Sequence, residues 1–330
     1  MSIDWSPLKQ IVSECDSYVL TSHTRPDCDA IGSELGLLYA LEALGKKARI
    51  VNADSPPPHI EFLDGDQRVE VLGRGVEAAE VHAADVHIVA DTSAWGQLGD
   101  MAEVIRTTPA RRVVIDHHVS GDDLGATVLK DVQAEATGRL VLESLDALGV
   151  ELTEKIAKPL FAAIATDTGW FRFPSVTAET YRAVSRLVEA GVAPSSVFSE
   201  LYDRNTTARV RLHGRIMESL TLEIDGRLAF GLAAEEDFGE TGAALSDTED
   251  VVNRLLSVEG VQVAVLIAAM EPGLTKVSLR SRSDIDVRAI AEHFGGGGHT
   301  KAAGVRYRGT VHEAREAVLK ALQGPMGEAL

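Results

Sequence analysis

Short β-branched runs alternate with helical patterns through the first half of the chain. The segments 18–22 (YVLTS), 48–52 (ARIVN), 86–91 (VHIVAD) and 111–116 (RRVVID) have the apolar density of buried strands. Helix-forming stretches occupy 30–44, closed by Gly45, and about 97–107, 135–148 and 153–166. Strands alternating with helices imply a mostly parallel sheet covered on both faces. The stretch 55–59 (SPPPH) reads as a loop. Residues 177–220 read as wholly helical, with stops at Gly191 and Pro194. Beyond about 220 the texture changes. Asp225-Gly226 separates two alternating apolar runs, a hairpin signal, and Glu271-Pro272-Gly273 repeats it. A helical run at 286–294 leads into GGGGH at 295–299, followed by the strand-like KAAGVRY. A second, smaller α+β domain is therefore expected over about 218–330. The first domain is expected at 1–190, with a helical connector at 191–217.

Composition agrees with two soluble domains: 330 residues, 45% hydrophobic and 25% charged. The formal net charge is −18, from 50 acidic and 32 basic residues. Such a chain repels long polyanions, so binding to long duplex nucleic acid or to an anionic membrane is not expected. The longest apolar stretch, 261–270, is too short to span a bilayer, and the N-terminal segment lacks the cationic flank of a signal peptide. Cys15 and Cys28 do not make a disulfide framework, which points to a reducing cytoplasm.

The charges gather at strand ends. The first strand runs into His23, Asp27 and Asp29; the 86–91 strand ends in Asp91; the 111–116 strand ends in Asp116, His117 and His118. In an open parallel sheet, ligands bind beyond the carboxyl ends of the strands. Asp167, after an apolar helix, adds a further carboxylate. Each piece alone is weak: an Asp after a strand is most often a cap or turn residue, and Asp29 has that reading too. His82 and His87 read as structural. Together, so many anions at one edge call for divalent cations, and the mixed carboxylate and imidazole donors suit Mn²⁺, Zn²⁺ or Fe²⁺. The donors exceed the needs of one ion, and a shared carboxylate is how two-metal phosphoryl-transfer sites are built.

With these residues, the chain resembles the DHH phosphoesterase superfamily. HTRPDCDAIGS resembles the first family motif, Asp91 in VADTS the second, Asp116-His117-His118 the third, and ATDTGWFRF with Asp167 the fourth. VSLRS and FGGGGHTKAAG resemble the associated DHHA1 substrate-binding domain, so the resemblance spans nearly the whole chain. It implies an α/β DHH domain with a mostly parallel sheet and a smaller α+β DHHA1 domain. It also implies two divalent ions, usually Mn²⁺. His23, Asp27 and Asp91 would hold the first, and Asp29, Asp91, His117 and Asp167 the second, with Asp91 bridging. His118 would face the scissile phosphate as donor or general acid. Cys28 departs from the small or apolar residues usual at its position and reads as a small packed hydrophobe.

The glycine run has a reading of its own: Gly296, Gly297 and Gly298 let the backbone approach a ligand, and His299 adds a donor. Arg280 suits bidentate phosphate capture. Arg282, two residues on, would share its face in a regular strand. The resemblance assigns Arg280 and His299 to the substrate's phosphate or terminal nucleotide; the bland alternative for Arg282 is a solvated charge. The branch matched is the nano-RNase type. It hydrolyses short oligoribonucleotides to 5′-mononucleotides and removes the 3′-phosphate of 3′-phosphoadenosine 5′-phosphate (pAp), with the site expected between the domains. Three alternatives stand: a manganese pyrophosphatase, which would lack the GGGGH domain; a cyclic or linear dinucleotide phosphodiesterase; and a non-catalytic nucleotide-binding regulator. A homodimer is left open.

Overall fold

In the computed structural model, which describes residues 3–327, the chain divides into two units between Arg204 and Asn205. The first unit begins with α1 (Ser6–Glu14), β1 (Ser17–Thr21), α2 (Cys28–Ala43), β2 (Lys47–Asn52), β3 (Val69–Val71) and α3 (Ala78–His82). It continues with β4 (Val86–Ala90), α4 (Met101–Thr107), β5 (Arg111–Asp116), β6 (Thr127–Lys130), α5 (Thr137–Leu148), α6 (Glu154–Asp167), α7 (Ala178–Glu189) and α8 (Pro194–Tyr202). The sheet order is β3-β2-β1-β4-β5-β6, with every pairing parallel.

Strand alternation supplies the two covered faces. Tyr18 and Leu20 of β1 join a core with α1, α2, α5 and α6, whereas Val19 joins a core with α3 and α4. Successive strand side chains point to opposite faces, so each face gains its own apolar set. Helix α2 packs very closely on α6. A Cβ on Gly32 would meet the Pro159 carbonyl oxygen and lie 2.9 Å from Ala163 Cβ. A Cβ on Gly138 of α5 would lie 2.6 Å from the same Ala163 Cβ. Glycine at both positions lets three helices converge beneath the sheet edge.

The second unit contains α9 (Thr207–Glu218), β7 (Thr221–Glu223), β8 (Leu228–Ala233), α10 (Glu235–Thr241), α11 (Val251–Leu256) and β9 (Val263–Glu271). After these come β10 (Leu274–Ser281), α12 (Val287–His293), β11 (Gly297–His299), β12 (Ala302–Arg308) and α13 (Val311–Gly327). Its sheet, β11-β12-β10-β9-β8-β7, is mixed: β8 and β9 run parallel, and both expected hairpins form. The expected connector is shared out, with α8 in the first unit and α9 in the second. Gly191 and Pro194 bracket a single break, Pro194 opening α8. A second break at 203–206 carried no glycine or proline to mark it.

Residues 297–299 are not loop, as the glycine run suggested, but an edge strand paired with β12. A Cβ on Gly296 would meet the Gly304 carbonyl oxygen, and one on Gly298 would lie 2.5 Å from that of Ala302. Close strand pairing therefore accounts for both glycines.

Candidate metal centre

Strands β1, β4 and β5 lie side by side, so their carboxyl ends deliver His23, Asp91 and His117 to one place. The side chain of Asp27 caps α2, accepting from the amides of Asp29 (2.9 Å) and Ala30 (3.1 Å). Capping thus falls to Asp27. Asp29 sits buried in the first turn, where the α5 amides of Thr137 (2.7 Å) and Gly138 (2.8 Å) donate to its carboxylate. Helix α6 carries Asp167 at its last residue.

The imidazoles separate by which ring nitrogen faces Asp91. His23 Nδ1 lies 2.9 Å from the Thr24 carbonyl and His117 Nδ1 3.1 Å from that of Ala134. A carbonyl only accepts, so both Nδ1 atoms carry hydrogen and both Nε2 lone pairs are free, the arrangement of a ligand histidine. His23 Nε2 faces Asp91 Oδ2 at 3.4 Å and Asp27 at 4.0 Å. His117 Nε2 faces Asp91 Oδ1 at 3.6 Å, Asp29 at 3.7 Å and Asp167 at 3.5 Å. The two oxygens of Asp91 therefore address different imidazoles, one in each cluster of donors.

His118 is arranged otherwise. Its Nδ1 lies 2.9 Å from Asp116 Oδ1, against 3.7 Å from Asp91, so its hydrogen goes to Asp116 and Nε2 is left for another partner. A carboxylate at Nδ1 leaves the same Nε2 lone pair as a carbonyl does; what sets His118 apart is that Nδ1, not Nε2, faces Asp91, although its ring is near enough to Asp91 and His117 to be grouped with them.

The electrostatics are those of an anionic cluster. Burial, then the charges of Asp29 and Asp27, raises Asp91 well above the usual carboxylate range. Burial raises Asp29 against the pull of His117, and burial with Asp29 and Asp27 pushes Asp167 up to about 8. Burial would raise Asp116 as well, but donors from His118, Ser93 and Lys130 outweigh it and hold that carboxylate low. The Asp116 hydrogen bond raises His118. Buried carboxylates facing imidazole lone pairs fit a hard or borderline divalent cation, which would restore the charge balance that burial removes.

Several functional neighbours carried no sequence signal. Thr137 donates its hydroxyl to Asp91 Oδ1 at 2.9 Å, and Ser93 and Lys130 serve Asp116. After Asp167 and Thr168, the residues Gly169, Trp170 and Phe171 all have positive φ, turning the chain out of α6. Trp170 packs on Phe198 at 5.0 Å, which holds this costly backbone in place. Cys28 is buried in the apolar core, and burial pushes its thiol up to about 12.

In the second unit, Arg280 pairs with Ala302 and Ala302 with His299, so Arg280 and His299 share one face across three strands. Arg282 falls beyond the end of β10 and does not continue that row. Its guanidinium donates to the carbonyls of Val261 and, at 2.9 Å, Val258, which ties down the preceding loop.

Residues 17–164 match the DHH family N-terminal domain and residues 231–327 the DHHA1 domain. The chain is 34% identical over 315 residues to a bifunctional oligoribonuclease and PAP phosphatase of Thermus thermophilus, covering 94% of this chain and 90% of that one. It is 27% identical to the Bacillus subtilis protein of the same description, covering 90% and 91%. A solved exopolyphosphatase-related protein from Bacteroides fragilis superposes with a TM-score of 0.91 at 26% identity, covering 98% and 96%. With these matches over nearly its whole length, and with acidic and imidazole donors gathered at the sheet edge, the chain belongs to the DHH family of metal-dependent phosphoesterases and carries the associated DHHA1 domain.

Proposed function

We propose that this chain hydrolyses short oligoribonucleotides to 5′-mononucleotides and pAp to AMP at one site holding two divalent cations, Mn²⁺ in the first instance. The observation that carries the reading is Asp91, whose Oδ2 faces His23 and whose Oδ1 faces His117. His23, Asp27 and Asp91 would hold one ion; Asp29, Asp91, His117 and Asp167 would hold the other. When bound, the cations supply Lewis acidity at the phosphoryl oxygens and lower the pKa of water.

The chain's own residues do the rest. Thr137 and the two α5 amides hold Asp91 and Asp29 in place. Both activities break the same bond. Water oxygen bonds to phosphorus, the P–O3′ bond breaks, and its electron pair leaves with the ribose 3′ oxygen. His118, held as the imidazolium by the Asp116 carboxylate at Nδ1, donates from Nε2 the proton that this oxygen takes up, and the proton shed by the attacking water passes to solvent. The leaving group is a 3′-hydroxyl whether the phosphoryl carries a second nucleoside or none, so one donor serves both substrates. The row Arg280–Ala302–His299, with Gly296, Gly297 and Gly298 beside it, is the surface we assign to the substrate's phosphate or terminal nucleotide. The Thermus and Bacillus relatives support this reading by their described activities. The two free, buried cysteines accord with a reducing cytoplasm, and no helix among the described residues is long and apolar enough to cross a membrane.

The test is a turnover panel with Mn²⁺: a labelled linear dinucleotide, pAp, a cyclic dinucleotide and pyrophosphate. Mononucleotide from the dinucleotide and orthophosphate from pAp are expected. Preference for the cyclic dinucleotide would make the chain a cyclic-dinucleotide phosphodiesterase. No turnover by a folded, metal-loaded sample would leave the nucleotide-binding regulator. His118→Ala should keep its metals and lose about 10²–10⁴-fold in rate.

A further inference from the structure

We infer that Lys130 is a positioning residue for the phosphoester reaction, acting through Asp116 on the ring of His118. The inference rests on the reading of His118 as proton donor. Lys130 ends β6 and stands opposite Asp116 in the parallel register. Its Nζ lies 2.9 Å from Asp116 Oδ2, 2.9 Å from Ser93 Oγ and 3.0 Å from the Ser120 carbonyl. Ser93 Oγ in turn donates to Asp116 Oδ2 at 2.6 Å. Asp116 itself is fully buried.

The division of labour between the two oxygens of Asp116 carries the argument. Oδ2 is held by Lys130 and Ser93. Oδ1 accepts from His118 twice, from its backbone amide at 3.0 Å and from Nδ1 at 2.9 Å. A carboxylate is planar and turns as a unit, so pinning Oδ2 fixes where Oδ1 stands. Oδ1 then fixes the azimuth of the imidazole, and Nε2 keeps one direction. Lys130 also balances the charge of a carboxylate removed from water, which a single partner would otherwise have to do. The corner is built for this contact: a Cβ on Gly121 would meet Ser93 Oγ and lie 3.2 Å from Lys130 Nζ. Among the described residues, the polar partners of Lys130 are Asp116, Ser93 and Ser120 and include none of the candidate metal ligands.

The test is a double-mutant cycle of Lys130→Met and His118→Ala in the full chain, with Mn²⁺ and a labelled dinucleotide. Metal content and Tm are measured on each variant. Lys130→Met should lower kcat about 10–100-fold, with KM and metal content unchanged. Added to His118→Ala, it should change kcat less than twofold, because the ring it aims is gone. A merely structural role would cost the same factor in both backgrounds, and that result overturns the inference. So does a folded Lys130→Met variant with kcat within twofold of the parent, or one that loses its metals. If Lys130→Met does not fold, Ser93→Ala takes its place in the cycle under the same criteria. If His118→Ala leaves kcat intact, the donor reading fails instead, whatever Lys130→Met does.

Discussion

Asp91 stands in the left-handed region at the end of β4, with φ 60°, where Asp and Asn are tolerated better than other side chains. Asp91→Asn therefore preserves the backbone and isolates the charge. It should drop bound metal from about two equivalents per chain towards one or none in elemental analysis, and activity should fall with it. Two buried groups away from the centre set opposing pH responses. His87 is buried with both ring nitrogens unpartnered, and burial lowers it from its usual 6.5 to about 3. The unfolded chain binds that proton first, so its stability contribution is complete above 6.5 and is lost as pH falls towards 3, about 2 kcal/mol by pH 5. Glu34 accepts from Asn52 at 2.9 Å, and burial pushes it up to about 8 from 4.5. Here the folded chain keeps the proton longer, so the contribution is complete below 4.5 and is lost as pH rises towards 8. Glu34→Gln should accordingly stabilise at pH 7 by up to about 3 kcal/mol, and His87→Leu should flatten the acid limb. Denaturant midpoints at pH 5, 7 and 8 check both. A constant difference between Glu34→Gln and the parent at all three would refute the burial account of Glu34.

At the scale of elements, the contact of α2 with α6 sets where Asp29 and Asp167 stand relative to one another. Gly32→Ala would drive a methyl into the Pro159 carbonyl and Ala163. Overpacking of this kind costs about 1–3 kcal/mol. The relief available is a shift of α6 away from α2, which moves Asp167 with it. The expected result is a lowered Tm together with weaker binding of one metal equivalent, read by thermal denaturation and by calorimetric Mn²⁺ titration. A lowered Tm with both metal affinities intact would show that α6 accommodates the methyl without moving its end.

Over the whole molecule, a net charge of −18 makes the metal centre one attractive point in a repulsive field. A dinucleotide presents few phosphates to that field, and a longer strand presents more. Turnover should therefore decline from two nucleotides to twenty at low salt, and added salt should lessen the decline by screening. Equal rates for a dimer and a twenty-mer at low salt would point to a processive single-strand exonuclease.

The strands of the first unit, the helices between them and the two hairpins of the second were legible because buried strands and amphipathic helices leave periodic apolar patterns. The gathering of the candidate donors His23, Asp27, Asp29, Asp91 and His117 was legible because neighbouring parallel strands deliver their carboxyl-end residues to one edge, while Asp167, at the end of an apolar helix, carried a weaker signal. Other features depended on partners distant in sequence, which no local pattern records. Strands β3 and β6 are short and half-exposed, so they carry little apolar signal. The glycines before His299 suggested a ligand loop, whereas the approach of β12 shows what Gly296 and Gly298 allow. Arg282 matched the spacing of a strand face, but β10 ends before it. Which ring nitrogen of each histidine faces Asp91 depended on the partner held at Nδ1, and Lys130 met Asp116 only through the register of two parallel strands. The sequence by itself determined the order of elements and the chemistry available at the sheet edge. The tertiary structure alone decided which atom of each side chain faces which partner, because that depends on backbone groups brought together by packing.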